Sequence, residues 1–327
     1  MAIRSYLQAI TDALREEMER DGNVILMGED VGVYGGAFKV TEGLLEKFGP
    51  LRVIDTPISE SLIGGAAVGA AVAGLRPVAE IQFMDFISCA FDQIVNMAAT
   101  TRYRHGGQYK VPMVVRGPSG AGIHGGLFHS QNSEAWFARV PGLKVVCPAT
   151  VRDAKGLLKS AIRDDDPVVY FEHKRFYRSV REELPDGDLL VPIGRAKVAR
   201  AGKDLTLVTY GGTYYQSLEA ADRIAREDKA EVEVIDLRTV LPIDYETVFD
   251  SVRRTGRLLI AHEDRATLGV GAEVAARVSE HCFEHLDAPV VRLGMAEAHN
   301  AYAPTLEEWL LPSTDKIVDK ARQVLKY

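Results

Sequence analysis

Short apolar runs alternate with amphipathic stretches through the first half of the chain. Residues 24–27, 53–54, 77–81, 113–115, 144–146 and 168–171 form short runs that are mainly apolar and do not alternate. A strand buried on both faces reads this way, whereas a strand with one wet face alternates. Between the runs, residues 6–21, 61–74, 87–103 and 151–163 carry helical spacing. Strand and helix in alternation predict a parallel sheet with helices on both faces. Residues 174–203 break the rhythm. They are charged, contain Pro185, Gly187, Pro192 and Gly194, and show little periodicity, which predicts a linker. The alternation then restarts, with strands expected at 205–210, 232–237, 258–261 and 290–293 and helices at 216–227, 245–253, 270–285 and 314–325. The expected fold is α/β in two domains, a parallel-sheet domain over 1–173 and a smaller one over 204–327.

Composition narrows the function classes. Of the 327 residues, 46% are apolar and 26% charged, as in an ordinary globular protein. No apolar run approaches the roughly 20 residues that span a bilayer, so no membrane partner is expected. The first 20 residues mix Arg4, Arg15, Glu16, Glu17, Glu19 and Arg20 with periodic apolar positions, which is an amphipathic helix and not a signal peptide. A net charge of −7 without a basic block argues against nucleic acid. Cys89, Cys147 and Cys282 lie far apart without metal-ligand spacing, and a reducing, cytoplasmic setting is expected.

Candidate chemistry follows three strands, because open parallel sheets bind ligands at the carboxyl ends of their strands. In the segment 55–60, Ser59 can cap a helix and Glu60 opens its first turn. Complementing the helix dipole would explain Glu60. The helix behind it, however, is nearly all small and apolar, so it is expected to be buried, and a carboxylate entering a buried element needs a partner. The segment 80–86 mixes Gln82, Asp85 and Phe86 directly after a strand, a weak signal that core packing also explains. The segment 118–131 places Gly120, Gly122, Gly125 and Gly126 between polar residues and two histidines, His124 and His129. Glycines let a ligand approach the main chain, and a loop histidine is a better catalytic candidate than a lone core one. His129 is preferred because Ser130 and Gln131 can hold its ring.

Collinear motifs over essentially the whole chain carry a resemblance. They are MGEDVG (27–32), RVIDTPISE (52–60), GLRPVAEIQF (74–83), FDQIVN (91–96), RYRHGG (102–107), HSQ (129–131), PGLKVV (141–146), DAKGLLKSAIRDDDPVV (153–169) and DLRTVLP (236–242). The sequence resembles the beta subunits of the decarboxylating first component of 2-oxo acid dehydrogenase complexes, within the transketolase-like superfamily. The resemblance implies a thiamine diphosphate site shared with an alpha subunit, in which the beta chain grips the aminopyrimidine and the alpha chain holds the diphosphate through magnesium. The metal half usually carries Gly-Asp-Gly. This chain has none, since Asp186-Gly187-Asp188 has the wrong order, and it reads as half a cofactor site.

The same resemblance supplies residue roles. Glu60 matches the glutamate that hydrogen-bonds the pyrimidine nitrogen and lets the cofactor activate itself. Ile58 matches a position whose backbone lies beside that ring, and Gln82 and Phe86 match pocket residues. His129 matches the histidine that faces the substrate and serves acyl transfer to a lipoyl arm. Met113, Ala161, Ile162, Asp164 and Asp166 match positions that hold a structural potassium ion, although relatives often have asparagine where Asp166 stands. A solvated turn is the alternative for 164–166.

An alpha2beta2 heterotetramer bound to a lipoyl acyltransferase core is expected, inactive without its alpha chain. Gly64, Gly65 and Gly69 are expected to serve close helix approach at a subunit interface. The second domain is expected to hold no catalytic residue and to expose Glu263, Asp264 and Glu273 to the core. Rival readings are a self-sufficient transketolase-group enzyme such as deoxyxylulose-phosphate synthase, an acetoin dehydrogenase beta subunit, and a non-catalytic two-domain scaffold. The stretch 125–137 resembles branched-chain enzymes, whereas 116–122 and 84–86 resemble pyruvate or acetoin enzymes, so the substrate stays open.

Overall fold

A computed structural model describes residues 2–327. The chain divides into two compact units: Met1–Ser119 with Trp136–Ile193, and Gly120–Ala135 with Gly194–Tyr327.

In the first unit, strands Lys144–Val146, Val168–His173, Val114–Ser119, Arg76–Glu80, Val24–Gly28 and Val53–Asp55 lie side by side in that order, all parallel. Each observed strand overlaps an apolar run of the sequence. Every residue of Val24–Gly28, Val114–Ser119 and Val168–His173 is buried, as continuous apolar runs require. Helix Tyr6–Arg20 starts on a capping box: Ser5 accepts from the Gln8 amide, and the Gln8 side chain accepts from the Ser5 amide. It packs against helix Val151–Arg163, which is capped by Thr150.

Two stretches depart from expectation. Residues 84–104 form a 3-10 segment (Met84–Ala90), a π segment (Gln93–Ala98) and a short α-helix (Ala99–Arg104) rather than one helix. The expected linker also carries structure. Arg181–Leu184 pairs antiparallel with Ala2–Ser5, and Lys197–Arg200 forms an antiparallel edge strand on the second sheet. These strands are short and largely exposed, so they lack the apolar runs that reveal buried strands.

In the second unit, Val291–Met295, Leu258–Arg265, Leu205–Thr209 and Val232–Asp236 are parallel neighbours, with Lys197–Arg200 at the far edge. Helices Tyr214–Glu227 and Thr314–Leu325 close one core through Ala220, Ala221, Ile224, Ile317, Val318, Ala321 and Val324. Among the described residues no helix is long and apolar enough to cross a membrane.

Candidate active site

Strand Val24–Gly28 sets the geometry of the first unit's site. Gly28 lies opposite Asp55 on one side and Glu80 on the other. The strands are parallel, so Glu29, residues 56–60 and residues 81–86 leave the sheet at one edge. The turn is fixed locally: the Thr56 amide donates to the Gly28 carbonyl at 2.9 Å, and the Gly32 amide donates to Asp55 Oδ1 at 2.6 Å.

Glu60 opens helix Glu60–Val72, with Ser59 accepting from the Leu62 amide as N-cap. The sequence predicts this helix to be buried. Instead Ile63, Gly64, Ala67, Val68 and Ala71 face inward, while Ser61, Leu62, Gly65, Gly69 and Val72 are exposed. The helix is apolar all round but covered on one side in the single chain, so Glu60 is half-exposed. Its carboxylate has no hydrogen-bond or ion-pair partner among the described residues. Ile58, just ahead of it, is 76% exposed. The helix is tied to the segment bearing Phe86: Ser61 Oγ donates to the Cys89 carbonyl at 2.9 Å, and a Cβ on Gly64 would lie 3.2 Å from the Cβ atoms of Ala90 and Gln93. Gly64 therefore gives close approach inside the chain. Gly65 and Gly69 remain on the open face. Gln82 and Phe86 are half-buried.

Glu29 is a further carboxylate of this edge, inside the quoted MGEDVG motif but not singled out in the sequence. Burial first, then Asp30 and Glu60, push its carboxyl above the ordinary range. A second feature missed in the sequence joins the neighbouring strands. Arg116 is fully buried and donates to both Glu172 oxygens, to Oε2 at 2.7 Å, and to Glu80. Tyr177 donates to Glu172 Oε2 at 2.6 Å. Two carboxylates share one guanidinium, and burial holds the Glu80 carboxyl above the usual range.

The five positions matched to potassium converge at another corner of this unit. Arg76 Nη1 donates to the Ile162 and Asp164 carbonyls at 3.0 and 2.8 Å. Lys144 Nζ lies 2.6 Å from both Asp164 carboxylate oxygens, and Arg102 donates to Asp166. Asp165 is held below the ordinary range, chiefly by Lys110. The carboxylates of 164–166 are therefore engaged by the chain's own cations. The Met113 and Ala161 carbonyls accept from the Val168 and Asp164 amides at 3.0 and 3.2 Å. A carbonyl has two lone pairs, so an ion here fits the carbonyls of Met113, Ala161 and Ile162 rather than the side chains.

The loop with His124 and His129 belongs to the second unit. The Gly120 amide donates to the Gln131 carbonyl at 3.0 Å and closes it. Glu263 Oε1 accepts from the Ala121 amide at 2.7 Å and from Asn132 Nδ2 at 3.0 Å. Asn300 donates to the Ser130 carbonyl. Glu307 accepts from the Gly122 and His124 amides at 3.0 and 3.2 Å, and its Oε2 lies 2.7 Å from His124 Nδ1. His124 thus has a structural partner. His129 is half-exposed at the loop's outer turn, and Gln131 Nε2 donates to the Leu127 carbonyl at 2.7 Å.

Glu263 and Asp264 are buried, against the expectation of an exposed docking face, while Glu273 is exposed. Strand Leu258–Arg265 runs four residues past its expected end and carries both carboxylates inward. Glu134 is buried beside them and accepts from the Tyr210 hydroxyl at 3.0 Å. Burial, then the Asp264 charge, pushes its carboxyl up to about 8, and burial raises Asp264 as well.

An unpaired carboxylate and apolar surface at the carboxyl edge of a parallel sheet suit a flat nitrogen heterocycle. With a second, mainly parallel α/β unit in the same chain, they agree with a two-domain chain of the transketolase type, the class that the family models match. Residues 4–180 match the family described as "Transketolase, pyrimidine binding domain" and residues 194–317 the one described as "Transketolase, C-terminal domain". The chain is 48% identical over 328 residues to the 2-oxoisovalerate dehydrogenase subunit beta of Bacillus subtilis (strain 168), covering 100% of both. It is 46% identical over 327 residues to the pyruvate dehydrogenase E1 component subunit beta of Staphylococcus aureus (strain COL), again covering 100% of both. Among solved structures, a chain described as "Split gene transketolase, inactive beta4 tetramer" superposes with a TM-score of 0.79 at 25% identity, covering 98% of each chain. The chain belongs to the family of beta subunits of the first component of 2-oxo acid dehydrogenases, whose cofactor is thiamine diphosphate.

Proposed function

We propose that this chain, joined to an alpha subunit in an alpha2beta2 heterotetramer, carries out oxidative decarboxylation of pyruvate or a branched-chain 2-oxo acid and passes the acyl group to the lipoyl arm of an acyltransferase core. Bound thiamine diphosphate supplies the carbon nucleophile and the electron sink. The observation that carries the reading is the unpartnered Glu60 carboxylate at a helix start, beside exposed Ile58 and tied to the Phe86 segment. Glu60 holds the proton at the pyrimidine nitrogen, the Ile58 backbone and the Phe86 ring line the heterocycle, and Gln82 orients it. His129 acts later, in acyl transfer. The alpha chain supplies magnesium. We assign aminopyrimidine binding to 1–173, a linker to 174–203, and beta–beta pairing and core docking to 204–327. A cytoplasmic location agrees with three unbridged cysteines.

The test is reconstitution with an alpha subunit and a panel of pyruvate, branched-chain 2-oxo acids and acetoin. Glu60→Gln keeps the shape but cannot take the ring proton. It should slow hydrogen–deuterium exchange at the thiazolium carbon and lower turnover by about 100- to 10,000-fold. His129→Ala should leave that exchange near normal and impair lipoyl acylation more than decarboxylation read with an artificial acceptor. The reverse pattern would exchange the two roles. A structural potassium at the 161–166 corner is part of the proposal, and replacing KCl by NaCl at equal ionic strength should lower the melting temperature. An unchanged melting temperature removes the ion from the proposal.

A further inference from the structure

We propose that Glu307, from a segment far along the chain, is a positioning residue for His129. The inference rests on the reading of His129 as the acyl-transfer group.

The loop 120–132 has little structure of its own. Its one regular piece is the three-residue turn Gly126–Phe128. Gly120, Gly122 and Gly126 have φ of +82°, +85° and +68°, and His124 has +60°. Such a chain has many accessible conformations, and ordering it costs conformational entropy. Beyond its own Gly120–Gln131 and Gln131–Leu127 hydrogen bonds, it is held by groups from far along the chain. Glu263 grips the two ends, at Ala121 and Asn132. The segment around residues 300–307 grips the rest. Asn300 holds the Ser130 carbonyl, next to His129. The Tyr302 ring lies so close over Gly126 that no Cβ fits there. Glu307 takes the two remaining inward amides and the His124 ring.

Glu307 makes the polar contacts nearest the Gly125 turn. Its side chain is 2% exposed, so its oxygens depend on the loop rather than on water for hydrogen bonds. Two amides donate to it and the His124 Nδ1 atom lies 2.7 Å from its Oε2, all from residues 122–124. Gly125 then allows the turn back: a Cβ there would lie 2.7 Å from the His129 carbonyl oxygen and 2.9 Å from its Cβ. The backbone held by Glu307 is therefore the backbone against which His129 rests. Moving a reacting group by about 1 Å can cost on the order of 100-fold in rate, so a carboxylate that fixes this turn sets the rate of the step that uses His129.

The experiment compares Glu307→Ala and Glu307→Gln in the reconstituted alpha–beta complex, with assembly and melting temperature as folding controls. Gln keeps an acceptor oxygen for the loop amides. Glu307→Ala should speed exchange of the Gly122 and His124 amides and lower lipoyl acylation by about 10- to 100-fold. Thiazolium exchange and decarboxylation with an artificial acceptor should stay near normal, and Glu307→Gln should recover part of the loss. The Glu307→Ala, His129→Ala double variant should acylate no more slowly than His129→Ala alone. If Glu307→Ala does not assemble, Glu307→Gln and Glu307→Asp give the same comparison. Multiplicative losses in the double variant, or normal acylation despite faster amide exchange, overturn the proposal. Normal acylation by His129→Ala alone instead overturns the His129 reading on which it stands.

Discussion

Glu134 lies inside the second unit with a Tyr210 hydroxyl as donor and the Asp264 carboxylate as neighbour. Its folded-state pKa of about 8 lies above the ordinary 4.5, so folding favours the protonated form. That contribution is complete below about pH 4.5 and drains away as pH rises through about 8. Asp264 acts in the same sense. His262 acts in the opposite one: burial lowers it to about 4, so its contribution is present above 6.5 and is lost as pH falls toward 4. Glu134→Gln removes one titration without adding charge. The melting temperature of the variant should fall less steeply than the wild type's between neutral pH and pH 8, and parallel curves would refute the assignment. At this scale the sequence offers candidates near a strand end or a glycine run, namely Glu60, Phe86 and His129. It does not reveal the long-range contacts built around them. Glu307 meets an amide 183 positions away, and Arg116 meets Glu172 across 56. No local period encodes such pairings, and the carboxylates concerned read as ordinary surface charge.

Buried strands are the most legible elements, because burial on both faces forces an unbroken apolar run. Val151–Arg163 and Thr314–Leu325 are also legible to the residue, since each follows a Thr or Ser cap and keeps one apolar stripe. The stretch 84–104 is not. Its apolar positions fit one helix, but tertiary packing divides it, and Gly64 of the neighbouring helix meets it at Ala90 and Gln93, where the 3-10 and π segments adjoin. Helix Glu60–Val72 carries an apolar face that its own chain leaves open, with Leu62 48% and Val72 39% exposed. Gly69 lies on that face with nothing within 4 Å of where a Cβ would stand. Alanine in a helix is favoured over glycine by about 0.8–1 kcal/mol. Gly69→Ala should therefore raise the denaturant midpoint of the beta chain alone. If a partner chain covers the face, the same methyl group should weaken heterotetramer formation on size-exclusion chromatography. A variant that is stabilised and assembles normally would leave this face outside the interface.

The alternation of strands and helices discloses two α/β units in one chain, and the missing Gly-Asp-Gly raises the expectation of a cofactor site shared with a partner. Neither discloses which unit each loop joins, because rhythm along the sequence records connectivity and not contact. The 120–135 segment follows a strand of the first unit in sequence, yet its anchors Glu263, Asn300 and Glu307 are all second-unit residues. The polypeptide therefore changes unit three times, at 119/120, 135/136 and 193/194. Recombination inherits this arrangement. A gene fusion that joins the first part of this chain to the last part of a relative at residues 174–203 looks clean on a sequence map. It nevertheless separates a histidine-bearing loop from the residues that hold it. Chimeras that transplant 120–135 together with 194–327 keep that set whole, so the inheritable module of this protein is discontinuous in its gene.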